Sequence, residues 1–329
     1  MIYLDLNSNK IKIALKQHED GLLKILINRV KKCTDLSIQS FLTDENVKKI
    51  LVGKPEDIIK INKNFYDKVQ GLSSRGYSEF LLNVDKSEKN LTSAQKRNLS
   101  IYKKKHLFLE EIFNYSKSFS LKVTKYSTYS LADNLKINSC VYCNRMYTKT
   151  VFKPDKITRP EFDHWFPKKK YPLLALSFYN LIPSCHICNS TLKGDNILNL
   201  TDFFHPYVDS AKTINKEFRF SYYNKTLNTY GFDLITNTPK ALNTANAFKI
   251  KEIYETHLDE IKDLRQIRDV YSDRYIQNLS KLCKGAISEE EIYRLAFGVH
   301  KKEVDFEQRP LSKMKRDILI ELGIIVNEK

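Results

Sequence analysis

Acidic side chains are in short supply in this sequence: 39 Asp and Glu stand against 55 Lys and Arg, a formal charge of +16 and a pI near 9.3. Such a surplus favours a polyanionic partner, because each phosphate neutralised by Lys or Arg releases condensed counterions. A Lys-, Asn- and Ile-rich composition also follows from an AT-rich genome, so charge supports that reading without making it. Long apolar runs are missing. No stretch reaches the roughly 18 residues of a membrane helix, and the best, around Leu173–Ile182, is short and stops at Pro183. Met1–Lys16 lacks a basic start, a long apolar core and a small-residue cleavage site, so no export signal is expected. The expectation is a cytoplasmic protein with no membrane partner. Internal repeats are absent as well. Aromatics, by contrast, are plentiful: 19 Tyr and 18 Phe within a hydrophobic fraction of 42% exclude low-complexity disorder. A length of 329 residues leaves room for two or three compact units.

Helical spacing dominates residues 1–130. Leu22, Leu23, Leu26, Ile27 and Val30 predict a helix over Glu19–Val30. A second is expected from Ala94 to Tyr115, capped by Thr92-Ser93, with His106 on its apolar stripe as a packed histidine. Gly71–Gly76 reads as a loop. Between 131 and 210 the texture changes: prolines recur, helical periodicity fades and metal-type residues concentrate. Short strands are expected at Met146–Phe152 and Glu161–Trp165, then a helix from Cys185–Cys188 towards Lys193, stopped by Gly194. Residues 211–329 begin with a strand-like patch at Phe218–Tyr223. A long stripe follows, through Ile250, Ile253, Tyr254, Leu258, Ile261, Leu264, Ile267 and Tyr271. A last helix is expected at Lys313–Leu322. The fold class expected is α+β: a small zinc-braced core enclosed by mainly helical amino- and carboxy-terminal regions.

Six cysteines are present, and four form two C-x-x-C pairs, Cys140/Cys143 and Cys185/Cys188. In a reducing compartment such pairs read as metal ligands before disulfides. Zinc takes four thiolates in a tetrahedron, and each pair supplies half of one. A full four-cysteine set leaves no open coordination position, so this zinc should be structural. Cys33 and Cys283 stand alone and read as small buried apolar residues. Two such pairs also describe zinc ribbons that catalyse nothing.

The segment between the pairs supplies chemistry. Phosphodiester hydrolysis needs an activated water, a divalent cation and groups that position substrate. On a strand, the Asp163-His164 step can send the carboxylate to a metal while the imidazole reaches the water. Asn189, directly after the last cysteine, offers an amide oxygen at a point fixed by the zinc. Hard oxygen ligands of this kind suit Mg2+ or Mn2+. Lys168, Lys169, Lys170, Lys193 and Arg145 flank the segment as candidate phosphate contacts, although a charge run is ordinarily a solvated face. Trp165 and His205 read as structural.

In their order and spacing, Cys140/Cys143, Asp163-His164 with Pro167-Lys168, Asn180-Leu181 with Pro183, Cys185/Cys188-Asn189 and Lys193-Gly194 resemble the HNH (ββα-metal) endonuclease family with an embedded zinc site. The resemblance covers Cys140 to about Gly194. It implies His164 as general base, Asp163 and Asn189 as ligands of one catalytic Mg2+ or Mn2+, and Asn180 as the residue that orients the base and braces the loop. The final signature position is Asn rather than His. DNA is the substrate expected. The stretch after the signature, from His205-Pro206-Tyr207 into a strand and a helical arm, is similar to stand-alone HNH proteins of bacterial anti-phage systems, Septu-type or retron-linked. In some of these the nuclease partners an ATPase, which implies a defence effector whose flanks hold the site idle until a partner arrives.

A second class keeps the basic surface and the zinc but leaves Asp163 and His164 without chemistry: a non-catalytic, zinc-stabilised nucleic-acid-binding module. A C-x-x-C redox protein is disfavoured, since no thioredoxin-like βαβ context precedes either pair.

Overall fold

Amphipathic spacing builds the amino-terminal part of the chain. In the computed structural model, which describes residues 1–120, 125–152, 156–227, 229–270, 278, 281 and 287–325, the first helix spans Asn9–Lys31. It buries Ile11, Ala14, His18, Leu22, Leu26 and Val30, so the stripe begins before Glu19, where periodicity alone placed it. Helices Leu36–Phe41, Asp44–Val52, Pro55–Lys68 and Ser74–Asn83 follow. Asp35, Thr43 and Ser73 cap three of them with side-chain oxygens, and Pro55 opens the other. The Ser73 cap ends the Gly71–Gly76 loop early, putting Gly76 inside a helix. Ser93–Ile112 carries a full capping box from Thr92 and Gln95 and buries Leu99, Tyr102, His106, Leu109 and Ile112. Short helices Tyr115–Ser118 and Thr128–Leu135 lead to the centre.

There β1 (Glu161–His164) and β2 (Leu181–Ser184) form an antiparallel hairpin, with Asp163 opposite Ile182 and His164 opposite Leu181. The strand expected at Met146–Phe152 does not form; only the isolated bridges Ser139–Tyr147 and Val151–Thr158 do. The backbone there is spent on closing the first cysteine turn, through Cys140 N–H to Met146 O (2.9 Å) and Thr148 N–H to Asn138 O (2.9 Å). After β2 the chain turns into the helix expected there, Ile187–Lys193, which is a π-helix and is ended by Gly194 at φ +50°. A π-turn makes room for an extra residue and is common at functional sites.

Farther on, β3 (Phe218–Thr226) pairs antiparallel with β4 (Thr229–Thr236). The apolar stripe expected as one long helix is broken into Ile250–Tyr254 and Leu258–Val270, with Ile261 and Leu264 buried; Tyr271 and Cys283 lie outside the described residues. Helices Glu289–Phe297 and Ser312–Glu321 follow among the described residues. The architecture is α+β, with two small antiparallel sheets and a buried four-cysteine cluster. Buried side chains from Met1 to Leu322 form one continuous hydrophobic cluster. Among the described residues no helix is long and apolar enough to cross a membrane.

Three histidines belong to this core rather than to any site. His18 bonds Leu176 O at 2.8 Å, His106 bonds Tyr66 Oη at 2.8 Å, and His205 Nδ1 accepts from Tyr207 N–H at 3.1 Å. Burial pushes all three below the usual 6.5, to about 4, 4 and 3. The unfolded chain therefore takes up protons below pH 6.5 that the folded chain refuses until about pH 4. Stability present above pH 6.5 is lost as pH falls through that window, and these three rings alone account for about 5 kcal/mol between pH 7 and pH 5. Denaturant unfolding at the two pH values measures this loss. Equal stabilities would mean the three rings are not buried neutral.

Candidate active site

The two cysteine turns meet. The four sulfurs lie within 4.8 Å of one another and all four residues are buried, while a zinc tetrahedron with Zn–S near 2.3 Å needs sulfurs about 3.8 Å apart. This donor set fits a metal ion such as zinc. Arg145 N–H points at Cys143 Sγ (3.4 Å), a bond that favours a thiolate. Asn144, at φ +51°, lets the first turn close, its N–H reaching Cys140 O at 2.7 Å; Asn tolerates that conformation better than most residues. Its amide also donates to Phe306 O (2.8 Å) and accepts from Lys313 N–H (3.2 Å), tying the turn to the carboxy-terminal segment.

β1 alternates. Glu161 and Asp163 face the helix that follows β2, whereas His164 faces the loop between the strands. Asp163 is 3% exposed, and both its oxygens are engaged: Oδ2 accepts from Tyr142 Oη at 2.5 Å and Oδ1 from Lys193 Nζ at 3.2 Å. Burial raises the Asp163 carboxyl and lowers the Lys193 ammonium, against their mutual attraction. Each depends on the other, because removing one strands a buried charge. Tyr142 sits inside the first cysteine pair and stacks on Phe248 (centroids 4.2 Å apart). It therefore links the cysteine cluster to Asp163 directly.

His164 is nearly closed off. Its Nε2 bonds Ala175 O at 3.0 Å. A carbonyl only accepts, so Nε2 carries the proton and Nδ1 keeps the lone pair. Nδ1 has no hydrogen-bond partner among the described residues. The Tyr115 ring stands edge-on to the imidazole at 4.8 Å. Burial first, then the Lys168 and Lys193 charges, push His164 down to about 3, so it is neutral near pH 7. The loop that presents Ala175 is fixed by Asn180, which is fully buried. Asn180 Oδ1 accepts from Phe166 N–H (2.7 Å), and Nδ2 donates to Phe166 O (3.1 Å) and Leu174 O (2.9 Å). Helices from the amino-terminal part hold the same loop. His18 donates to Leu176 O, Ser177 Oγ to Ile50 O, and Tyr77 Oη to Lys170 O.

Asn189 is half-buried on the π-helix, and its Nδ2 donates to Glu161 Oε2 at 2.7 Å. The same carboxylate receives His186 Nδ1 at 2.9 Å. Asp163 and Asn189 are thus on facing surfaces, but each is engaged with another partner, Lys193 and Glu161. The bond to Glu161 fixes the orientation of the Asn189 amide. Oxygens of Asp163 and Asn189 are of the hard type that Mg2+ or Mn2+ takes, and both Asp163 oxygens are engaged here by Tyr142 and Lys193. Of the basic residues singled out by sequence, Lys168 and Lys169 are exposed, Lys168 lying over the Tyr115 ring and Lys169 pairing with Asp195 at 2.9 Å. Arg145 is half-buried beside the cysteine cluster. Lys193 is corrected: at 2% exposed, donating to Asp163 and to His164 O (2.7 Å), it is an interior counter-ion and not a surface phosphate contact. Lys170 is likewise buried, its Nζ on Asp195 O at 2.9 Å. Trp165 and His205 pack edge-to-face in the core.

The chain is similar to a Septu protein, PtuB, of Bacillus thuringiensis: 32% identical over 91 residues, which are 27% of this chain. The match takes in only 32% of the length of that protein. No family model matches the chain, and no solved structure matches it.

Sequence reasoning passed over Glu161, Tyr142, Asn144 and Tyr115. For Glu161 a signal existed, since period-two alternation puts it on the face of Asp163. Tyr142 and Asn144 offered only their position in and after a cysteine pair. Tyr115 offered none.

Proposed function

We propose that the protein is a metal-dependent endonuclease of the HNH type. The observation that carries this reading is the placement of Asp163-His164 on one hairpin strand against a helix that starts in the second cysteine pair and bears Asn189. In this reading Asp163 and Asn189 hold Mg2+ or Mn2+, which supplies charge stabilisation to the phosphate. His164 Nδ1, its tautomer set by Ala175 O, takes the proton of the attacking water. A phosphate opposite Lys168 offsets the positive charge that lowers His164 and so strengthens the base. Asn180 keeps Ala175 in place, and Glu161 keeps the Asn189 oxygen aimed. Lys168 and Lys169 are the exposed cations available to a DNA backbone.

The likeness to a Septu protein supports a role in bacterial anti-phage defence, with an ATPase or other protein as partner. Closure of His164 by Tyr115 and by the helices gripping its loop fits an enzyme held idle until that partner acts.

The test is cleavage of supercoiled plasmid by purified protein with Mg2+ or Mn2+, alone and with the proposed ATPase partner. Nicking that stops with EDTA and returns with Mg2+ is expected. Binding without cleavage under every condition would favour the zinc-stabilised binding module. Glu161→Gln is expected to raise the Mg2+ concentration for half-maximal rate about 10- to 100-fold while leaving the saturated rate largely intact. An unchanged Mg2+ requirement would remove Glu161 from the site.

A further inference from the structure

Away from the hairpin, the carboxy-terminal elements line a half-open cavity of about 890 Å3, a volume in the range of small-ligand sites. Its wall carries Lys212, Lys216, Arg219, Lys301, Lys302 and Arg316. The carboxylates in the same wall, Glu290, Glu303 and Asp317, are already matched. Lys302 holds Glu290 at 2.8 Å, and Arg316 reaches Glu303 at 3.4 Å. Asp317 accepts from the buried Lys313 (2.8 Å) and from Phe220 N–H (3.1 Å). Lys301 pairs with Glu289 at 3.1 Å.

That leaves Lys212, Lys216 and Arg219, which are exposed and form no ion pair with any described residue. Lys212 and Lys216 lie one turn apart on the helix Ala211–Glu217, and Arg219 follows at the start of β3. The carboxylate of Glu321 reaches Arg219 only through space and is bonded to Ser221 Oγ at 2.9 Å. Three cations gathered in one concavity repel one another, and a bound polyanion relieves that repulsion. Val304, Ile320 and Ile325 add an apolar side to the wall.

We infer that this cavity binds a compact polyphosphate bearing an apolar group, of the nucleoside triphosphate class. A phosphodiester strand crossing the cavity would run past Glu290 and Glu303. A short phosphate chain reaches the unmatched trio while its base lies on the apolar side. The inference does not depend on any chemistry at His164.

The experiment is calorimetric titration of the full chain with ATP, with inorganic tripolyphosphate and with a short single-stranded oligonucleotide. The same titrations are run on Lys212→Gln/Lys216→Gln/Arg219→Gln and on the control Lys168→Gln/Lys169→Gln. ATP is expected to bind more tightly than tripolyphosphate. The triple variant should weaken ATP roughly a hundredfold, the loss of charge-assisted contacts, and the control should not change it. All five positions are exposed, so an unchanged thermal midpoint will show that the variants fold. Absence of ATP binding, or equal affinity in the triple variant, overturns the site. Tripolyphosphate binding as tightly as ATP overturns the nucleoside assignment. A triple variant that loses only the oligonucleotide assigns the trio to a nucleic-acid track instead.

Discussion

His164→Ala is expected to lower plasmid cleavage by about 100- to 10,000-fold, the usual contribution of a positioned general base, with DNA binding unchanged. The state of the ring suits it to this role. Its Nε2 proton is committed to Ala175 O and its Nδ1 has no partner among the described residues, so the one basic nitrogen is free. The residue is also 9% exposed, its ring beside Tyr115. Truncation therefore leaves an imidazole-sized space. Added imidazole should restore part of the rate to His164→Ala, which a purely structural role would not allow. Full activity in the variant would take His164 out of the chemistry. An inactive variant that also loses cooperative unfolding and ignores imidazole would reduce the residue to packing.

Removing the metal that the four cysteines are expected to hold should have the largest effect on stability. Elemental analysis is expected to find one zinc per chain, and Cys188→Ser to abolish it. Structural zinc sites in small domains contribute about 10–16 kcal/mol at neutral pH, against a total stability of about 5–15 kcal/mol for ordinary domains. The cluster lies inside the common hydrophobic core, and Asn144, Tyr254 and Tyr142 carry its position outward. Asn144 bonds the segment around Phe306 and Lys313, Tyr254 Oη donates to Cys143 O, and Tyr142 bonds Asp163. Trp165, fully buried next to His164, is the one tryptophan and reports on this region. Cys188→Ser, or wild type stripped by a strong chelator, should show red-shifted tryptophan emission and a non-cooperative thermal transition. A chelated protein that keeps a buried Trp165 and a sharp transition would show that the sulfurs do not hold this core together.

Some of this was readable before any fold was known. Thr92 and the stripe Leu99, Tyr102, His106 and Leu109 marked a helix because capping and 3.6-residue periodicity are local properties. Glu161–Trp165 read as a strand, and Glu161–His164 form one. Failures came where distant segments compete for the same backbone. Met146–Phe152 has strand-like composition, yet its hydrogen bonds close a cysteine turn. The stripe from Ile250 to Ile267 is continuous in sequence but breaks after Tyr254.

Donor types were already written in the chain: four thiolates in two turns, an Asp-His step, and Asn180 and Asn189 at motif spacing, since ligand identity and short spacing are local. What each group touches came from the packing. Lys193 looked like a surface cation and became the buried partner of Asp163, because the π-helix turns that face onto β1. Glu161 became the anchor of Asn189, and Tyr115 came to cover His164 from a helix far upstream. Such contacts depend on which faces pack together, and packing is a property of the whole core rather than of any local stretch.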